Sequence, residues 1–231
     1  MSYARSGARL TEARDPPRRA RANALWATLA RASYEPTPSS EQAKRRLVKS
    51  VHCILALDWL VESFPVRCVV VLRNPHALFA SYRRMSMPDR FRNLLCQPRL
   101  RDDLADYAPH PATPTGEDEE IAFQIALTYS IIAAQARIHP EWILTSHDRL
   151  CVDPTQAFST LFGALGMTWG PDAAARLAEL DQHGSGYAAR RRTAEQPTKW
   201  RRDVNDAQRA AIERWIDAFG LREFLRECVL A

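Results

Sequence analysis

Apolar runs and polar gaps along the chain sort it into two strand–turn–helix units and a set of separate helices. Cys68-Val69-Val70-Val71-Leu72 is a continuous apolar run with no polar alternation. Adjacent β-branched valines in such a run predict a strand covered on both faces, the kind found in parallel sheets. The run stops at Arg73; Asn74 then suits a helix N-cap and Pro75 the first helical position, where a missing N–H costs nothing. Ala77, Leu78, Ser81 and Tyr82 follow at helical spacing. The pattern repeats further on: a strand over Glu141–Thr145, a turn at His147–Leu150, an Asp153 cap and a helix from Pro154. Phe158, Leu161, Phe162 and Leu165 give that helix a stripe to bury, and Gly166 ends it.

The remaining periodic segments read as helices, with one short strand at Arg46–Lys49. His52–Ser63 carries Cys53, Leu57, Leu60 and Val61, then Phe64, as a core-facing stripe. Ile121, Ile125, Tyr129, Ile132 and Ala136 define a long helix that ends before Pro140; the acids Glu117 to Glu120 suit its first turn, where the helix dipole favours them. Pro171–Gln182 is a further helix. Asn205 and Gln208 form a capping box for the last one, buried through Ile212, Trp215, Ile216 and Phe219 and closed by Gly220.

The polar gaps set the boundaries. Residues 1–23 are arginine-rich with little to bury, 24–32 make a short helix, and 34–40 hold two prolines. Residues 1–40 are therefore expected to be a basic tail, short helix and linker, and 41–231 one α/β domain. Ser86–Glu120 is long, polar and proline-bearing, the character of a lid or binding segment. Gly184-Ser185-Gly186-Tyr187, Arg190-Arg191-Arg192 and Lys199-Trp200-Arg201 make a flexible, positive segment late in the chain.

Composition narrows the classes. A hydrophobic share of 46% and a charged share of 26% are those of a globular domain, and 231 residues suffice for a real core. The formal charge of +5 suits an anionic ligand and is too mild to make nucleic acid the expected partner. Five scattered cysteines without CxxC or zinc spacing predict free, mostly buried thiols in a reducing cytoplasm, with no metal site. No apolar run nears the roughly 18–20 residues of a membrane span, so no membrane partner is expected.

The chemistry concentrates at Arg73. Open α/β sheets bind ligands at the carboxyl ends of their strands, where helix N-termini favour anions, and an arginine there adds a planar fork suited to phosphate or sulfate. The plainer alternative is a solvated strand-end residue or one paired with a carboxylate. For the basic segment at 190–201 the alternative is a solvated charged face, and for His52 a capping or surface histidine.

Arg73-Asn74-Pro75, with Ser81 eight residues after the arginine and Tyr82 next, resembles the 3′-phosphate-binding motif of the sulfotransferases. These enzymes move a sulfuryl group from 3′-phosphoadenosine 5′-phosphosulfate (PAPS) to an acceptor hydroxyl or amine. The resemblance covers roughly residues 46–222. It implies a three-layer α/β sandwich with a mainly parallel sheet, like a P-loop nucleoside kinase, and no metal. It implies that Arg73 and Ser81 hold the 3′-phosphate, helped by Arg190, Arg191 and Arg192 of the late basic loop. Lys49 would stabilise the leaving phosphate and His52 would take the acceptor proton, although the pair is spaced three apart where the best-known motif spaces them two apart. His147-Asp148-Arg149-Leu150-Cys151-Val152-Asp153-Pro154 is similar to the segment whose tyrosine lies near adenine, with His147 in the tyrosine's place. The family's opening strand and 5′-phosphosulfate loop have no counterpart: Arg5-Ser6-Gly7 matches only its middle. The expectation is a domain lacking its first strand and P-loop, hence an exposed sheet edge, marginal stability and self-association. PAPS-dependent transfer to a small-molecule or glycan acceptor is the expected function. The competing class is a non-catalytic protein, either a nucleotide-binding remnant or a basic nucleic-acid-associated domain.

Overall fold

The computed structural model describes residues 47–51, 53–85, 104–108, 114–184 and 191–229. The chain divides into two units, residues 1–55 and 56–231. In the first unit, residues 47–50 form no strand, and Leu47 and Val48 are 95% and 88% exposed. This corrects the strand expected over Arg46–Lys49. Two apolar side chains without a ladder partner among that unit's described residues gain too little to hold an extended backbone. The expected tail, the helix at 24–32 and the linker lie outside the described residues, as do Arg46 and His52.

The second unit opens with α1, Leu57–Ser63, reached through a 3₁₀ turn at Ile54–Ala56. The helix expected from His52 is thus shorter, and its apolar residues are half-buried or exposed, not core. Phe64 follows at the C-cap, its ring edge-on to Trp59 at 5.8 Å. Then come β1 (Val69–Leu72), α2 (Pro75–Arg84), α3 (Glu117–Ile138) and β2 (Ile143–Ser146). The chain continues through α4 (His147–Val152), α5 (Pro154–Ala164), α6 (Pro171–Leu180) and 3₁₀ turns at Thr193–Glu195 and Lys199–Arg202. It closes with α7 (Asp206–Ala218) and α8 (Arg222–Cys228).

β1 and β2 pair in parallel, Val69 opposite Ile143 and Leu72 opposite Ser146. The architecture is therefore mixed α/β with a parallel sheet, two strands wide among the described residues. The core is built on α3. Twelve of its residues are buried, from Ile121 to Gln135, and α2 and α7 pack along it. Leu72, Phe79, Ile125, Leu127, Ile131 and Ile212 are the fully buried large side chains at that junction. By length and composition α3 would pass for a membrane span, contrary to the expectation that no segment would. Its first turn holds Glu117, Asp118, Glu119 and Glu120, and most of its apolar stretch is buried inside the fold, the mark of a core helix. The acids also tie elements together. Glu119 accepts from Arg214 and from Trp215 Nε1 at 2.5 Å, and Asp118 accepts from Gln208 Nε2 at 3.1 Å.

Local signals fall where the residue pattern puts them. Asn74 Oδ1 accepts from the His76 N–H at 3.0 Å and Asp153 Oδ1 from the Gln156 N–H at 3.1 Å, each just ahead of its proline. Asn205 and Gln208 close the capping box, and Gly166 and Gly220 take the positive φ that ends their helices. Burial departs from the pattern in α5. Phe158, Leu161, Phe162 and Leu165 are only half-buried, because Trp169 and the short α4 and α6 cover them instead of the α3 core. Of the described cysteines only Cys151 is buried; Cys53, Cys68 and Cys228 are half-buried.

Candidate anion-binding cleft

Arg73 stands one residue beyond β1, at the carboxyl edge of the sheet. The strand is fixed by the buried Val70 and Leu72, and the turn after it by the buried Asn74 and Pro75. A cleft of about 630 Å³ opens beside this turn. Its walls include Arg73, Ser81, Arg84, Arg191, Lys199 and Trp200. Ala77, Ala80, Ser81 and Arg84 belong to α2, and spacings of three and four put them on one face of that helix. The first-turn N–H groups of α2 are partly engaged: His76 donates to the Asn74 side chain, and Leu78 to the Asn74 carbonyl.

Cations dominate the lining. The Arg73 Nε is buried with no hydrogen-bond partner, and among the described residues no carboxylate pairs with its guanidinium. A buried donor on a charged fork, left unsatisfied, costs free energy that an entering anion would recover. Arg84 differs, since its Nη2 meets Asp203 Oδ2 at 2.6 Å on an exposed bridge. The floor beside Lys199 is aromatic. Trp200 stacks on His76 with centroids 4.6 Å apart, and the Arg201 guanidinium lies 5.3 Å from the Trp200 ring centroid. Burial lowers the His76 pKa, only partly opposed by Glu213, whose Oε1 is 3.2 Å from Nε2. His76 is therefore a neutral packing ring near pH 7, not an added charge.

His147 starts α4, next to Ser146 of β2, whose hydroxyl caps that helix by accepting from the Arg149 N–H at 3.0 Å. It does not line the cleft, yet it lies near enough to Arg73 for the guanidinium to lower its pKa slightly. Hydrogen bonding to Asp148 and then to Cys151 outweighs this and pushes the His147 pKa up to about 9. The imidazole is thus cationic near neutral pH, its charge balanced by the Asp148 carboxylate 3.5 Å away.

The residues expected at the site separate into groups. Arg73, Ser81 and Arg191 share the cleft. Arg192 is not in its walls; its carbonyl accepts from Gln196 Nε2 at 2.9 Å as it begins the next 3₁₀ turn. Arg190 and His52 lie outside the described residues, and Lys49 is an exposed residue of the first unit. Arg84 and Gln196 also line the cleft and were not singled out in the sequence. Arg84 carried a usable signal, three residues past Ser81 on the same helix face; Gln196 carried none. Comparison of the chain with family models, with curated proteins and with solved structures finds no match.

Proposed function

We propose that the cleft binds the 3′-phosphate of a PAPS-type nucleotide and that the protein is a PAPS-dependent sulfotransferase acting on a small-molecule or glycan hydroxyl or amine. One observation carries this reading: Arg73, Ser81 and Arg191, three residues with the motif resemblance behind them, line one cation-rich cleft at a strand's carboxyl end. Arg73 is the anchor, because its fork is held in the wall with a buried, unpartnered Nε. Each charge-assisted hydrogen bond it makes to a phosphate oxygen is worth about 1.5–3 kcal/mol. Lys199 adds longer-range attraction for a dianion, whereas Arg84 and His147 are each balanced by a carboxylate, Asp203 and Asp148.

In the proposed reaction the acceptor oxygen or nitrogen bonds to sulfur as the bond from sulfur to the bridging phosphate oxygen breaks. The released product is 3′-phosphoadenosine 5′-phosphate. The acceptor gives up its proton as the new bond forms, and negative charge builds on the leaving phosphate oxygen. The three-layer sandwich of the P-loop nucleoside kinases is the fold that goes with this chemistry. Calorimetry with 3′-phosphoadenosine 5′-phosphate tests the reading. Binding that Arg73→Ala weakens at least about tenfold, together with sulfated product from PAPS, supports it. A wild-type protein with no affinity for this nucleotide overturns it.

A further inference from the structure

Tyr129 reaches Arg73 from the middle of α3. Its hydroxyl accepts from the Arg73 N–H at 3.1 Å and donates to the Arg73 carbonyl, and the ring is 3% exposed. The geometry of β1 shows what this contact replaces. Cys68 accepts from the Ile143 N–H across the sheet at 3.0 Å, so residues 68, 70 and 72 turn their backbone groups towards β2. Alternation along an extended strand then turns residues 69 and 71 to the opposite edge, and Arg73 comes next in that series. The phenol thus supplies the one donor and one acceptor that a neighbouring strand would otherwise offer Arg73. Burial raises the Tyr129 pKa, so the phenol stays protonated and keeps its donor.

We infer that Tyr129 is a positioning residue of the anion cleft, fixing the Arg73 backbone so that the guanidinium is held ready in the wall before any ligand arrives. This rests on the reading of the cleft as a nucleotide 3′-phosphate site. A fork whose backbone is already ordered loses less entropy when it closes on a phosphate. The phenol touches no ligand itself; it acts through Arg73.

The test is a double-mutant cycle with 3′-phosphoadenosine 5′-phosphate as the titrant of the full chain. Tyr129→Phe keeps the ring and removes only the hydroxyl. It is expected to weaken affinity about tenfold in the wild-type background and by no more than about twofold in Arg73→Ala. Replacing Tyr129 with p-aminophenylalanine, which returns a donor at the same place, is expected to recover most of the loss. Wild-type affinity in Tyr129→Phe, or an undiminished loss in the Arg73→Ala background, overturns the positioning role. Unchanged affinity in Arg73→Ala alone overturns the cleft reading itself, so the two failures are told apart. If the Phe variant does not fold, the wild-type protein still decides. Its Arg73 Nε–H should exchange slowly with water in ¹⁵N NMR and shift on adding the nucleotide, and a fast, ligand-insensitive signal overturns the inference.

Discussion

The two strand–turn–helix units start alike and end differently. β1–α2 and β2–α4–α5 both run a short parallel strand into helices capped by a polar side chain, with a proline at the first position of α2 and α5. In β1–α2, Val70 and Leu72 are buried, with Pro75, Ala77, Phe79 and Ala80 behind them. In β2–α4–α5 only Ser146 and Cys151 are buried, and α5 has no buried residue. The difference is the neighbour. α2 lies against α3 and α7, whereas α5 has α4 and α6. Caps and prolines start helices wherever they occur, but only contact with the core helix makes a unit rigid enough to hold an arginine in a fixed place.

Four measurements test this contrast. The largest effect is expected in the core: Phe79→Ala should cost about 3–5 kcal/mol in urea unfolding, and Phe158→Ala, stacked on Trp169 at the surface, about 1–2 kcal/mol. Equal costs would erase the distinction between the units. Next, Arg73→Ala should lower affinity for 3′-phosphoadenosine 5′-phosphate by about 10- to 100-fold, while Arg149→Ala, in α4 and outside the cleft, should change it by no more than about twofold. Smaller still, Asn74→Ala and Asp153→Ala should each cost about 1 kcal/mol, since capping is local and both side chains accept a single N–H. A much larger loss at Asn74 would show that its burial matters beyond the cap.

The last measurement concerns pH. His147 has its pKa raised to about 9, above the roughly 6.5 of an unfolded histidine, by Asp148 and Cys151. Protonation therefore favours the folded state. Its contribution is fully present below the unfolded value and fades as pH rises through about 9. Thermal melts of wild type and His147→Ala should differ near pH 6 and converge near pH 10. A gap that persists at high pH would contradict the assignment.

Much of the local architecture was legible from residue types. The Asn74-Pro75 start, the acidic opening of α3 and the Asn205–Gln208 box each carry their own physical signal; the run Val69–Leu72 does form a strand, but Val71 is 51% exposed, so the expected cover on both faces is not there. What failed depended on partners far away in sequence. The apolar stripes of α1 and α5 have the right spacing and yet remain half-buried, because spacing says which face is apolar and not what will cover it. Arg46–Lys49 read as a strand from two apolar residues, and strands exist only by pairing. At the site, Arg73 and Ser81 were visible because they share one strand–helix unit. Arg191 could be told from Arg192 only by the chain path after α6, where the Arg191 N–H bonds the Leu180 carbonyl. Tyr129 was visible only as a core position, since its partner is a backbone 56 residues away.

In the proposed function everything turns on Arg73 gripping a phosphate on the ribose 3′ position. The most direct measurement is the affinity of wild type and Arg73→Ala for 3′-phosphoadenosine 5′-phosphate and for adenosine 5′-phosphate, which lacks that group. Wild type should prefer the first by about 10-fold or more, and Arg73→Ala should lose the preference while binding the second unchanged. Equal affinity of wild type for the two nucleotides, or a preference that survives the loss of Arg73, would contradict it.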